Sequence, residues 1–317
     1  MASKSKPCEW TTQQQAFEGF AGFTKKTQSA GHIKPLHWYV ACRLVVEGGF
    51  DPDDIKPRPP FTIGSKRAGL PQLKFDGQSA GGGEATVLGG LKTKNVDVVV
   101  TRHGIGPVLA VSCKGTTGAF RNLTNRMEEL IGDCTNLHIS YPTLVLGYLH
   151  LLRANRRLGE IVDVIEPGDE DDSPPTEDAD GPQDDKPKRR KLSDNDLAFD
   201  AKGNVTSGIK RFEIAVSRLA GRSGIRDDMT RYESIGLGLI EAEPGQMGRA
   251  IADYPDSSSG LDVDGFFNRL YAQYDERFIY GAPKLETVTR RLEWSPQSPA
   301  LKMITPDYPI RLGSPKS

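Results

Sequence analysis

Residues 96–114, VDVVVTRHGIGPVLAVSCK, hold the tightest constraint on what this chain can fold into. Two apolar, largely β-branched runs flank a turn with two glycines, the pattern of an antiparallel hairpin. Strands are expected near 95–101 and 107–114. Side chains alternate between faces along a strand. Asp97, Val99 and Thr101 therefore share one face, and Ala110, Ser112 and Lys114 share one face of the return strand. With the turn centred on HGIG, Asp97 falls opposite Ser112 or Lys114. An acid and a lysine converge at one end of an otherwise apolar ribbon.

The elements around this hairpin alternate in type. PLHWYVACRLVVEGGF places Trp38, Cys42 and Val45 at helical spacing and ends at Gly48-Gly49, so residues 11–50 read as helical. Residues 51–83 read as loops, with one short strand near LPQLKF. After the hairpin, Phe120, Leu123, Met127, Leu130 and Ile131 fall on one helical face. PTLVLGYLHLLR reads as a buried strand, GIKRFEIAVSRLAGR as an amphipathic helix, YESIGLGLIEA as a strand and DVDGFFNRLYAQYDERFIY as a helix. The last forty residues, rich in proline, are expected to wrap the surface. The expected class is α/β, a central mixed β-sheet flanked by helices.

One segment breaks the alternation. EPGDEDDSPPTEDADGPQDDKPKRRK has almost no apolar residue. It cannot bury enough surface to offset chain entropy, and it is expected to be a disordered acidic insertion. Its KPKRRK end reads either as a solvated counter-charge to the acids or as a nucleic-acid or nuclear-import contact. The expected organisation is a helical and loop region over 1–83, a core over 84–165, the insertion over 166–195, and completion of the core with a C-terminal wrap over 196–317.

The net charge of −1 over 317 residues announces no nucleic-acid partner by itself. Four cysteines, Cys8, Cys42, Cys113 and Cys134, fit no zinc spacing and no disulfide framework, which suggests a reducing, cytoplasmic setting. MASKSKPCEW carries no apolar stretch of a signal peptide, and no run reaches bilayer-spanning length, so no membrane partner is expected. Cys113 shares a face with Val111 and Leu109 and reads as core. His103 reads as an exposed turn residue, and GGG at 81–83 lacks the Lys-Ser/Thr of a phosphate loop.

Paired carboxylates with a nearby lysine suit a hard divalent ion such as Mg²⁺ and a hydrolytic water. The helix after the hairpin offers RMEEL. At about 100° per residue, Glu128 lies roughly 80° from Phe120, at the edge of the apolar stripe, and Glu129 points away. Asp97, the return strand ending in Ser112-Cys113-Lys114, and RMEEL on the next helix together resemble the PD-(D/E)XK nuclease superfamily over residues 95–150. The nearer likeness is to type II restriction endonucleases that carry a serine on the strand and a displaced glutamate. Ser112 stands where that pattern usually has an acid, and Val96 where it has its proline.

The resemblance implies a restriction-endonuclease-like fold and Mg²⁺-dependent hydrolysis of double-stranded DNA by a homodimer. Asp97 and Glu128 would hold the metal, and Glu84 is a further candidate ligand. Lys114 would orient or activate water, and Ser112 would support the site. Lys92, Lys94, Arg102, Arg121, Arg126, the KRF stretch and SRLAGRSGIR are candidate DNA contacts. Two rival readings remain: a catalytically decayed DNA-binding relative, and an adaptor that recruits partners through its acidic insertion.

Overall fold

The computed structural model describes residues 10–23, 31–67, 69–156 and 193–314. Most of the expected acidic insertion, with KPKRRK, lies outside the described residues. Ahead of the expected return of order near 205, Leu197, Ala198 and Phe199 already bury apolar side chains against the core.

The elements, in chain order, are helices α1 (Gln13–Ala21) and α2 (Lys34–Val46) and strands β1 (Ile55–Lys56), β2 (Phe61–Arg67), β3 (Leu70–Phe75), β4 (Ala85–Leu88), β5 (Thr93–Val96), β6 (Val98–Arg102) and β7 (Gly106–Thr116). Helix α3 (Leu123–Ser140), strand β8 (Val145–Ala154), helix α4 (Ser207–Ser217), strand β9 (Ser234–Glu241) and helices α5 (Val263–Tyr274) and α6 (Glu286–Thr289) follow. The central sheet has five strands in the order β1-β6-β7-β8-β9. The β1/β6 and β6/β7 pairs are antiparallel, and β7/β8 and β8/β9 are parallel. A parallel neighbour needs a crossover, and α3 lies in the link from β7 to β8, with α4 in the link from β8 to β9.

Alternate strand residues feed two separate cores. Val98, Val100, Leu109, Val111 and Cys113 face α1, α2 and α5. Val99 and Ala110 face the opposite way, into the core with α3 and α4. The result is a helix–sheet–helix sandwich. Helix α2 is apolar on nearly every side, from Leu36 to Val46, and so it lies inside the protein.

Three sequence expectations need correction. Residues 51–83 are not loop with a single strand: β2 pairs with β3 as an antiparallel hairpin, Phe61 opposite Phe75. The C-terminal segment does more than wrap the surface. Trp294 is fully buried, its indole N–H donates to the Val45 carbonyl at 2.8 Å, and Ala300, Ile304 and Tyr308 join the same core. Phe120 precedes α3 in a 3₁₀ turn, Phe120–Asn122, and Ile131 is 38% exposed, so of the expected face Phe120, Leu123 and Leu130 are buried together with Met127 against them, and Ile131 falls off it.

Candidate metal centre

Asp97 sits between β5 and β6, and two hairpins fix its neighbours. Continuing the β6/β7 register of Val98 opposite Val111 places Asp97 opposite Ser112. Ser112 Oγ donates to Asp97 Oδ2 at 3.3 Å, and the Cys113 amide donates to the same oxygen at 2.7 Å. On the other side, β4 pairs with β5, Ala85 opposite Val96. One further step along that register brings Glu84 beside Asp97. The turn of this second hairpin contains Gly89-Gly90. A side chain at Gly90 would drive its Cβ to 2.1 Å from Ile139, so α3 can lie this close only over glycine.

The third neighbour comes from α2. His37, buried in the first turns of that helix, places Nε2 3.4 Å from Asp97 Oδ1. The contact lacks hydrogen-bond alignment, and Nε2 has no other partner among the described residues. One donor atom each from His37, Glu84 and Asp97 lie within 4.8 Å of one another. Burial holds the His37 imidazole below its ordinary pKa, against the upward pull of Asp97 and Glu84, and Lys114 adds to the fall. At neutral pH His37 is therefore uncharged.

Two carboxylates side by side repel, and a neutral imidazole beside them has a ring nitrogen without a partner. A bound cation would relieve both. Among the described residues, this nitrogen-and-oxygen donor set fits a divalent ion by its chemistry.

Lys114 follows on β7, its side chain 27% exposed. Its ammonium lies 3.8 Å from a Glu129 carboxylate oxygen, and Glu129 also pairs with Arg126 at 2.7 Å. Burial by itself lowers the Lys114 pKa, but Asp97, Glu129 and Asp133 outweigh it and the net shift is upward. Lys114 is thus a cation at neutral pH, an electrostatic partner rather than a ready base. Burial raises the Glu129 pKa, yet Lys114 and Arg126 outweigh it and hold the carboxylate charged.

The structure brings Asp97, Ser112, Lys114 and Glu84 together and leaves Glu128 out. Glu128 is exposed on α3, and its neighbour Glu129 meets Lys114. The physical reason is helical phase. Phe120, the reference for the expected register, belongs to the 3₁₀ turn, which advances about 120° per residue. Measured instead from buried Leu137 at about 100° per residue, Glu128 lies about 180° away and Glu129 about 80°.

Sequence reasoning also missed His37. Its only signal was a histidine in the first turns of an apolar helix, and the proximity to Asp97 is purely tertiary. Cys113 is core, as its face implied, and burial and Asp97 push its thiol pKa well up.

The candidate DNA contacts divide. Arg102 is buried and paired with Asp54, and Arg222 is fully buried on Glu233, so both serve the fold instead. Their charges are consumed by tertiary partners, 48 residues away for Arg102 and 11 for Arg222. Lys94 is tied to Asp133 at 2.6 Å. Lys92, Arg121, Lys210, Arg211, Arg218 and Arg226 are exposed.

No protein-family model matches this chain, and no curated protein or solved structure matches it either.

Proposed function

We propose that this protein is a metal-dependent endonuclease that hydrolyses phosphodiester bonds of double-stranded DNA, of restriction type. The observation that carries the reading is the double use of Asp97. Its Oδ2 is fixed by the Cys113 amide at 2.7 Å, and its Oδ1 is turned toward the His37–Glu84 donor group. The next residue on the strand is the Lys114 cation.

When bound, a divalent ion of the Mg²⁺ and Mn²⁺ class supplies Lewis-acid polarisation of the phosphate and a water of lowered pKa. Asp97 and Glu84 hold it through oxygen. Lys114, protonated and braced by Glu129, offsets negative charge developing on the phosphate, the electrostatic role with the greatest leverage in phosphoryl chemistry. Ser112 keeps Asp97 turned toward the ion by its hydrogen bond. Exposed Arg121 and Lys92 would position the backbone through phosphate contacts. Cutting both strands requires two such centres, which fits a homodimer.

The test is plasmid DNA incubated with the purified protein, with and without Mg²⁺ or Mn²⁺, beside Asp97→Asn. Metal-dependent cleavage that disappears in the variant supports the reading. Metal-independent cleavage, or none in any divalent ion, overturns it. Ser112, standing in place of a strand carboxylate, favours a second reading, a decayed centre on the same fold. That reading expects no divalent-ion binding at millimolar concentration.

A further inference from the structure

Four histidines are buried, His32, His37, His138 and His150, and the contrast among them assigns a role to one. His138 meets the Cys134 thiol at Nδ1, 3.5 Å away, and the Leu144 carbonyl at Nε2, 3.3 Å away. His150 lies between the Tyr148 hydroxyl at 3.0 Å and Thr116 Oγ1 at 2.9 Å. Both rings are satisfied on both nitrogens, as buried polar groups generally are. His37 is not. Its Nε2 is buried, unpartnered, and turned toward a carboxylate oxygen 3.4 Å away. His32 also leaves Nδ1 unpaired, but the donors at metal spacing are His37, Glu84 and Asp97.

We infer that His37 is a direct ligand, through Nε2, of a mixed nitrogen–oxygen centre that selects a first-row transition ion such as Mn²⁺ over Mg²⁺. The inference rests on the metal-dependent reading above for its catalytic meaning, but not for the binding itself. Mg²⁺ takes oxygen ligands and gives up its waters reluctantly. An imidazole adds affinity for transition ions, in the order set by their acceptor strength. Asp97 and Glu84 alone would serve either class, so the imidazole is the donor that discriminates.

The placement of His37 suits that task. Helix α2 is packed on nearly every side, which holds the ring without help from a second hydrogen bond at Nε2. Glu84, by contrast, is exposed and lies immediately before a short strand. A rigid nitrogen from the core and an adaptable oxygen from a surface loop close on Asp97 from two sides.

The experiment uses the full-length protein stripped with chelator. Mn²⁺ binding is measured by loss of the free-ion EPR signal, in competition with Mg²⁺, and the bound ion is examined by electron spin-echo envelope modulation for ¹⁴N coupling. The expected result is Mn²⁺ binding tighter than Mg²⁺ by about tenfold or more, with ¹⁴N modulation present. His37→Gln should lose both the modulation and the preference, and His32→Gln should keep them. Bound Mn²⁺ without nitrogen coupling, or equal affinity for the two ions, overturns the inference. If His37→Gln does not fold, the wild-type spectrum and His32→Gln still decide it. The two readings fail separately. Mn²⁺ held through His37 in a protein that cuts no DNA ends the nuclease reading alone. Cleavage in Mg²⁺ with no nitrogen coupling ends only the inference.

Discussion

The Lys114 ammonium and a Glu129 carboxylate oxygen stand 3.8 Å apart, joining the end of β7 to α3. Arg126 holds the other Glu129 oxygen at 2.7 Å, so the carboxylate is pinned between two cations. Lys114 is thereby held beside Asp97 instead of swinging into solvent. Glu129→Ala should lower metal-dependent cleavage by about 10–100-fold, the usual effect of removing a group that orients a metal site. Glu128→Ala, on an exposed position, should be nearly silent. Cleavage kinetics of the two variants check this, and the reverse pattern would refute the geometry.

That pair also shows where the sequence was and was not legible. The β6/β7 hairpin could be read to within two registers, because β-branched runs and a glycine turn fix strand pairing locally, and the structure selects the one that sets Val98 opposite Val111. Asp97 and Ser112 follow from it. Glu84 was a further candidate ligand, but its pairing beside Asp97 was not legible, since ATVL is a four-residue strand between Glu84 and Gly89 and carries too little periodicity to declare itself. Glu129 was misjudged because a 3₁₀ turn shifts helical phase in a way that residue spacing does not reveal. His37 was lost among apolar neighbours: a helix buried all round has no polar face to single out a functional side chain. The buried Trp294 was missed because proline-rich sequence gives no period to follow.

The close approach of α5 to the sheet predicts a stability effect far from the candidate centre. A Cβ at Gly147 would come within 2.8 Å of the Phe266 ring, and one at Gly236 within 2.8 Å of Leu149 and 3.1 Å of Phe266. These glycines sit on neighbouring strands, β8 and β9, and let one aromatic side chain pack closely against both. Gly147→Ala should cost about 1–3 kcal/mol by overpacking, read as a lower midpoint in urea. Combining it with Phe266→Leu should recover part of the loss, because the second change frees the space that the first one takes. An unchanged midpoint in the single variant would contradict the packing.

Glu233 is fully buried and accepts from Arg222 at 2.7 Å, Arg277 at 2.8 Å and the Leu146 amide at 2.8 Å. Burial raises its pKa, but His138, Arg277 and the Leu146 amide outweigh burial and the net shift is downward from 4.5. A depressed carboxylate stabilises the fold fully above its unfolded pKa, and the contribution is lost as pH falls through the folded value. Glu233→Gln leaves Arg222 as a buried charge without its counter-ion and should cost about 3–5 kcal/mol at neutral pH. The difference between wild type and variant should shrink on acidification, as pH falls through the depressed folded-state value of Glu233. Thermal melts across pH 3–7 test both the size and the direction, and a gap that widens on acidification would refute the sign.

Asp97 and Glu84 make the metal-free centre electrostatically uncomfortable, which gives a signature that needs no substrate. With no ion, two carboxylates share one small volume beside an unpaired imidazole nitrogen. Asp97→Asn removes one of the like charges and keeps an amide oxygen to accept from the Cys113 N–H, the contact at 2.7 Å that anchors the side chain. The chelator-treated variant should therefore melt at the same temperature as the chelator-treated wild type or higher. Adding ion reverses the order. A ligand that binds only the folded state stabilises by about 2.7 kcal/mol at a hundred times its Kd, so millimolar Mn²⁺ should raise the wild-type Tm by several degrees. Asp97→Asn, lacking the oxygen turned toward His37 and Glu84, should show little or no rise. Calcium-free, chelator-stripped protein scanned with and without Mn²⁺ separates the two effects. Equal metal-induced shifts in wild type and Asp97→Asn would place the bound ion elsewhere on the molecule, and a large loss of apo stability in the variant would mean that Asp97 serves the hairpin more than the metal.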